Sequence, residues 1–458
     1  MNKLLVYQIA ILTVLYIGYG FYYITRKSVI LMIPHFRQNE TSLFNISKND
    51  IGIIISTQNF AYASSKLIGG VLSDVFSCRI LFGSGLFLSG LLNIGFKRDI
   101  QVSYLYSFSF LIGLVQGPAW PCCGKLLQNW LPKSQFGTWW SILSTSSNVA
   151  GSLGPIIATS IALNYHWSYG FMIPGCISMT VGYLAIIVLR NRPSEVGLTN
   201  YEETNVGNKT KTENENVQLE ELGFKTKSKM LLSYPFFISI CLCYFMVQLI
   251  KTLFSDWSQI YLIKSFKISN YNASYFLSIF EFSGIFGSVF SGILSDCIYY
   301  AKTKRYEELI SKEKTISQQR PSSVKIRMGV NFIFFLGLIL SLNLFNYFLH
   351  GKISLFFLLS IAGMAGFFSY GCISLLGVIA MEFTPKSFSG TSHAFASLAA
   401  NFGAITAGIP FGYISKLYTW SYGFKLTEFS AIGVCFFLML CWNSKSKLEL
   451  VNINRKKQ

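Results

Sequence analysis

The sequence predicts an all-α membrane protein with twelve transmembrane helices in two pseudo-symmetric six-helix bundles. Three observations predict it: a charge-poor apolar composition, twelve long apolar stretches, and an internal repeat. Of 458 residues, 52% are hydrophobic and 13% charged, where a soluble domain carries roughly a quarter charged residues. Phe and Tyr are abundant, as in bilayer spans and at their interfaces.

The apolar stretches run over 6–33, 50–74, 79–97, 102–128, 136–163, 167–190, 234–263, 271–296, 327–348, 353–381, 388–416 and 420–443. Each suffices to cross about 30 Å of hydrocarbon as a helix. The first is too long for a signal peptide and has no small-residue cleavage site after it. The net charge of +18 is mostly topology and not a nucleic-acid footprint. About 25 of the 38 Lys and Arg fall at the termini and in the even-numbered connections, about 9 in the odd-numbered ones. The positive-inside rule then places both termini in the cytosol. The ten cysteines lie mostly in or beside spans. Their spacing suggests neither a disulfide framework nor a zinc site, and Cys122-Cys123 and Cys241-x-Cys243 read as small packing residues. No metal or cofactor is expected.

The two halves repeat each other. GTWWSILSTSSN from Gly137 matches GTSHAFASLAAN from Gly390, WSYGF at 167–171 recurs at 420–424, and GGVLSD at 69–74 matches SGILSD at 291–296. Pro132-Lys133-Ser134 likewise meets Pro385-Lys386-Ser387. Four matches in one order indicate duplication. The offset grows from 222 to 253 after Asp296, so the charged segment 297–326 holds the extra residues. The expected domains are a first bundle at 1–190, a polar cytosolic linker at 191–233, a second bundle at 234–443 with a cytosolic loop at 297–326, and a basic cytosolic tail at 444–458.

Four cations remain inside spans: Arg26, Lys27, Lys66 and Lys251. At a helix centre each costs about 2.5–3.5 kcal/mol on the insertion scale, so the Arg26-Lys27 pair costs on the order of 5–7 kcal/mol. One reading is a structural ion pair with Asp256, Glu281, Glu382 or Glu428. The other is an anionic substrate. Lys251 lies within a turn of position 248, the repeat equivalent of Arg26. Like charges at such places call for an anion between them, and a phosphate monoester, with charge near −2, fits. Arg offers a planar fork for two phosphate oxygens and Lys a point charge.

A polar stripe repeats as well. Trp140, Ser144 and Asn148 in the fifth span correspond to His393, Ser397 and Asn401 in the eleventh, each set at i, i+4, i+8. It suits either a hydrated cavity wall or helix packing through small polar residues. Of four histidines, His393 is the one expected deep in a span, where its imidazole suits phosphate. Lys66, on one face with Gln58 and Tyr62, reads as a pathway cation or as a side chain snorkelling to the cytosolic end. Glu281 reads as a counter-charge for Lys251 or a proton carrier.

Two six-helix repeats around a cytosolic linker resemble the major facilitator superfamily. GGVLSDVFSCR at 69–79 resembles that superfamily's cytosolic 2–3 loop signature, with Gly70, Asp74 and Arg79 in place, and Gly292 to Asp296 repeats it. The resemblance implies a gate at Asp74, Arg79 and Asp296. More narrowly, YYITRK (22–27), AYASSKLIGGVLSD (61–74), GPAWPCCGKLLQNW (117–130), KTLFSDWSQIYLI (251–263) and GTSHAFASLAANFG (390–403) are similar to the organophosphate:phosphate antiporters, and within them to the endoplasmic-reticulum glucose-6-phosphate translocases. That resemblance implies exchange of glucose 6-phosphate for inorganic phosphate in the endoplasmic-reticulum membrane. It implies Arg26, Lys27, Lys251 and His393 as phosphate ligands, with Tyr62, Trp120, Asn148 and Asn401 on the sugar side or cavity wall. It also implies membrane lipid around the chain and functional coupling to a lumenal glucose-6-phosphatase. Thr25 stands where the family has Asn before its Arg-Lys pair; if that amide reads a sugar hydroxyl, sugar preference differs here. The tail NRKKQ approximates a dilysine retrieval signal, and Asn39 and Asn45 are sequons in a non-cytosolic loop. Alternatives are a carrier for another hexose phosphate or glycerol 3-phosphate, a non-transporting sugar-phosphate sensor, and a membrane phosphatase with His393 as nucleophile. The last lacks a readable nucleophile–base–orienter set, so no enzyme is expected.

Overall fold

The structure is a computed structural model. It describes residues 3–36, 46–96, 101–131, 133–198, 229, 231–312, 321–348, 354–384 and 386–442. Asn39, Asn45, most of the linker and the tail from 443 lie outside the described residues, as does the side chain of Asp74.

Among the described residues, helices occupy each of the twelve apolar stretches. In the first repeat they are α1 (Lys3–Met32), α2 (Lys48–Val75), α3 (Cys78–Ile94), α4 (Val102–Gln116), α5 (Ala119–Trp130), α6 (Lys133–Asn164) and α7 (Tyr169–Val188). In the second they are α8 (Pro235–Thr252), α9 (Ser258–Phe266), α10 (Asn270–Lys312), α11 (Ser323–Phe348), α12 (Leu355–Glu382), α13 (Lys386–Thr406), α14 (Ile409–Leu417) and α15 (Trp420–Cys441). A π-helical turn, Leu253–Trp257, joins α8 to α9. Eight segments are long and apolar enough to cross a bilayer on composition alone. α2 and α6 are diluted by Ser, Thr, Asn and Gln, residues suited to facing protein or water rather than lipid.

Four predicted spans depart from single helices of the expected length, the seventh through that π turn. The fourth splits into α4 and α5 at Gly117-Pro118, where Pro has no amide to donate. The eleventh splits into α13 and α14 around Gly408, with Pro410 in the first turn of α14, where a missing N–H costs least. The eighth does not stop at 296. α10 continues to Lys312 through half of the predicted loop, because AKTKRYEELISK holds strong helix formers and the i, i+4 pair Lys304–Glu308. At 43 residues and 1.5 Å per residue it is about 65 Å long, roughly twice the hydrocarbon thickness.

The chain forms two compact units. The first comprises Met1–Lys209, Leu253–Phe282 and Ile405–Trp420; the second comprises Thr210–Thr252, Ser283–Ala404 and Ser421–Gln458. The first thus takes in the π turn, α9, the start of α10 and all of α14 with the first repeat. Within it, α3 packs along α7, α2 along α4 and α14, and α1 along α6 and α7. Glycines permit the α3–α7 approach: a Cβ on Gly90 would stand 2.5 Å from the Gly175 carbonyl, and one on Gly83 2.8 Å from that of Gly182. Gly90→Val is therefore expected to force the helices apart and destabilise the protein by about 3 kcal/mol, read as a lowered unfolding midpoint in detergent. Cys122 and Cys123 pack in the core of this unit with Tyr22, Phe82, Leu126 and Trp130. In the second unit α11 packs along α12, and α8 along α12, with Phe334 stacked on Phe367 at 5.5 Å.

Candidate substrate-binding site

Successive residues on a helix point about 100° apart, so Thr25, Arg26 and Lys27 serve three different neighbours. Thr25 is fully buried inside the first unit. Its hydroxyl donates to the Phe21 carbonyl at 2.8 Å and accepts from Gln116 Nε2 at 3.1 Å. Asn93 and the Tyr22 hydroxyl, which donates to Phe82 O at 2.5 Å, complete this seam between α1, α3 and α4. The expectation that Thr25 bears on sugar preference is thereby corrected: the side chain faces the core. Thr25→Val removes an acceptor for a buried amide and is expected to cost about 1–3 kcal/mol of stability, with the ranking of substrates in uptake competition unchanged.

Arg26 faces α2. Its guanidinium lies over the Tyr62 ring at 4.5 Å and near that of Tyr23 at 5.5 Å. Among the described residues no carboxylate pairs with it. Gln58, a residue the sequence placed beside Tyr62 without a role, donates to the Arg26 carbonyl at 2.6 Å. An aromatic wall continues from Tyr62: its hydroxyl is 3.5 Å from that of Tyr19, Tyr19 packs on Trp120 at 4.7 Å, and Trp120 on Trp140 at 4.4 Å. These rings come from α1, α2, α5 and α6, and Trp120 gains its place because α5 starts afresh after Gly117-Pro118.

Lys27 faces the other way and is not a free cation. It forms an ion pair with Asp256 in the π turn, where Asp256 is 3% exposed. The Ser255 hydroxyl donates to the same carboxylate at 2.6 Å. For Lys27 the structural ion pair is thus the correct reading, and the assignment as an unpaired phosphate ligand is corrected. The reason is the π turn, which packs the Asp256 carboxylate against α1. Glu281 is buried too and accepts from the Tyr23 hydroxyl at 2.7 Å. Asn148 donates to the Glu281 backbone carbonyl at 3.4 Å rather than standing clear in a cavity. Tyr23, Ile24, Lys27, Gly151, Ser255 and Glu281 line a small cleft. Lys66 is half-buried on α2, one turn after Tyr62.

In the second unit Lys251 lies 5.4 Å from the Tyr370 ring centroid. The His393 ring is 3.3 Å from the Gly377 carbonyl through Nδ1 and 3.3 Å from Ser397 Oγ through Nε2. The Nδ1 contact to a carbonyl requires a proton on Nδ1, while at Nε2 either the ring or the Ser397 hydroxyl can donate. His393 is only half-buried, and Asn401 likewise. His35, at the end of α1, is the more deeply buried histidine, 3.2 Å from the Thr159 hydroxyl. It escaped the sequence because it sits at the margin of an apolar stretch. The Asp296 carboxylate pairs with Arg327 at 2.8 Å, and Arg327 also reaches Glu382 at 3.0 Å and Ser295 at 2.9 Å. In the first unit Asn191 Oδ1 accepts from the Arg79 amide at 3.1 Å and Lys125 donates to the Ser73 carbonyl at 2.6 Å, so both ends of the 2–3 loop are tied. Among the described residues no cluster of His, Cys, Asp or Glu is placed to hold a metal ion.

Residues 15–305 match the Major Facilitator Superfamily. A "Probable hexose phosphate transport protein" of Chlamydia muridarum is 30% identical, over 96% of this chain and 92% of its own. A "Glycerol-3-phosphate transporter" of Bacillus subtilis is 30% identical over 95% and 93%. The "Membrane sensor protein UhpC" of Escherichia coli is 28% identical over 94% and 91%. Among solved structures, a bacterial homologue of the human lysosomal transporter Spinster superposes with a TM-score of 0.70 at 12% identity, covering 96% of this chain and 98% of that one; it speaks for the fold alone. With the family match over residues 15–305 and relatives 30% identical over nearly their whole length, the chain belongs to the major facilitator superfamily and, within it, to the organophosphate:phosphate antiporter family.

Proposed function

We propose that the protein is a sugar-phosphate/inorganic phosphate antiporter. The observation that carries this reading is Arg26: a mid-helix cation on an aromatic face, with no carboxylate among the described residues to balance it. A buried charge of that kind is costly unless its partner arrives from solution. Phosphate supplies two oxygens for the guanidinium fork. Lys251, within a turn of the equivalent place in the second repeat, would add a further positive charge, and His393 a hydrogen-bond donor. The Tyr19–Trp120–Trp140 wall suits the apolar face of a sugar ring. Alternating access then follows from rocking of the two repeats about the bound anion.

The finer reading is glucose 6-phosphate moving from cytosol to endoplasmic-reticulum lumen against phosphate, with both termini cytosolic and a lumenal phosphatase consuming the sugar phosphate. It draws on the motif resemblance, the charge asymmetry of the connections and the basic tail. Counterflow into phosphate-loaded proteoliposomes tests it against a panel of hexose phosphates and glycerol 3-phosphate. Uptake of glucose 6-phosphate ahead of the others supports it, and glycerol 3-phosphate ahead of the sugars overturns it. The relative named as a sensor motivates a second reading, binding without flux, which the same experiment shows as saturable binding with no phosphate release.

A further inference from the structure

The second unit holds a cavity of about 460 Å³ that the transport reading does not use. Small-molecule sites span about 300–1,000 Å³. It lies where apolar helices end: beside Ile298 and Lys302 of α10, at the start of α11, and at Trp442 just past α15. Arg327, bonded to Asp296 and Ser295, ties α11 to α10 at this level.

The lining changes character along both helices. On α11, Ser322, Lys325, Gly329 and Ile333 recur every three or four residues and so share one face. On α10, Ile298 and Lys302 stand one turn apart. In each helix the lysine lies toward the tip and the isoleucine toward the apolar span. Ile333 is exposed, and Leu336 and Leu340, also exposed, continue its stripe along α11. Gly329 leaves room beside the Trp442 ring, since a Cβ there would stand 3.8 Å from it, in ordinary contact.

The cavity is also positive. Lys302 and Lys325 are exposed, and among the described residues neither has a carboxylate partner. Arg327 next door is already balanced by Asp296 and Glu382. The adjoining sequence brings no net negative charge: 313–320 has one Glu against a Lys and an Arg, and 443–458 one Glu against five Lys and Arg. A free phosphate would answer the lysines and leave the isoleucines and Trp442 uncovered. A phospholipid answers both, with Trp442 at headgroup level, where such rings collect. Basic pockets between membrane helices take lipid headgroups in this way.

We propose that this cavity binds one anionic phospholipid, its phosphate on Lys302 and Lys325 and its upper acyl chains along Ile298, Val330 and Ile333. The site shares no residue with Arg26 and its aromatic wall, so its test is independent of the antiport reading.

Native mass spectrometry of the full chain in mild detergent reads bound lipid without substrate. Phosphatidylglycerol is titrated against phosphatidylcholine of the same chains. Inorganic phosphate and glycerophosphoglycerol, the headgroup without its chains, serve as soluble competitors and are expected not to displace the lipid. Phosphatidylglycerol is expected to bind about 25-fold more tightly than phosphatidylcholine, roughly fivefold for each lysine. Lys302→Gln with Lys325→Gln is expected to erase that preference. Lys264→Gln with Lys425→Gln, which removes equal charge outside the cavity, is expected to keep it. Gly329→Leu fills the recess beside Trp442 and is expected to weaken both lipids together. Equal binding of the two lipids, or an unaltered preference in the monodisperse Lys302/Lys325 variant, overturns the site. Loss of the preference in the Lys264/Lys425 variant as well reveals diffuse attraction and overturns it too. Displacement by either soluble competitor overturns the lipid in favour of a free anion, and undiminished binding by Gly329→Leu overturns the placement of the chains.

Discussion

Phosphate self-exchange in proteoliposomes is expected to fall about 100-fold or more when Arg26 is replaced by Gln, because two charge-assisted hydrogen bonds to the anion are lost together. Gln fills similar space and leaves the Tyr62 ring, the Gln58 bond to the Arg26 carbonyl and the Thr25 seam in place. The loss is then one of anion binding rather than of folding, and gel filtration of the purified variant separates the two. Arg26→Lys keeps the charge but gives up the fork and the flat stacking surface, so an intermediate loss, about tenfold, is expected. Retention of half the exchange rate by Arg26→Gln would mean that the anion is held elsewhere.

Lys27 is expected to behave in the opposite way. Lys27→Met leaves Asp256 charged, 3% exposed and without its cation, and Asp256→Asn strands the lysine. Each single change is expected to cost about 3–5 kcal/mol of stability, the usual penalty for halving a buried pair. The double variant is expected to recover most of it, since no isolated charge remains. A double-mutant cycle on unfolding midpoints in detergent measures the coupling; a coupling below about 1 kcal/mol, typical of exposed pairs, would show that water already screens the pair. The contrast is the useful part: adjacent cations, one whose removal abolishes exchange in a stable protein, the other whose removal destabilises the protein first.

Most of the fold was legible in the sequence because the bilayer leaves few choices: an apolar stretch of this length must satisfy its own backbone, and a helix does so. The helix breaks were half legible. Pro118 and Pro410 are visible as residues, but only the structure tells a kink from a full interruption. The extension of α10 to Lys312 was hidden by the habit of reading charge as loop. In the site, the unusual charges pointed to Arg26 and Lys27 together, and helical geometry then separated them. Which acid meets Lys27 could not be read, because it depends on one turn of π-helix at Leu253–Trp257, for which no residue pattern is diagnostic. Thr25 was misplaced for a related reason: a neighbour in sequence to a site residue lies on a different face.

That single wide turn makes the length of the segment as consequential as its composition. Deleting one residue between 253 and 257 would remove the extra residue that the wide turn accommodates, let the helix run on regularly, and change which side chains of this stretch face α1. Asp256 would leave Lys27, and Trp257 would leave the Ala407 carbonyl, in one step. A frame-preserving codon loss here thus disturbs two separate contacts at once, where truncating Asp256 or Trp257 removes one of them.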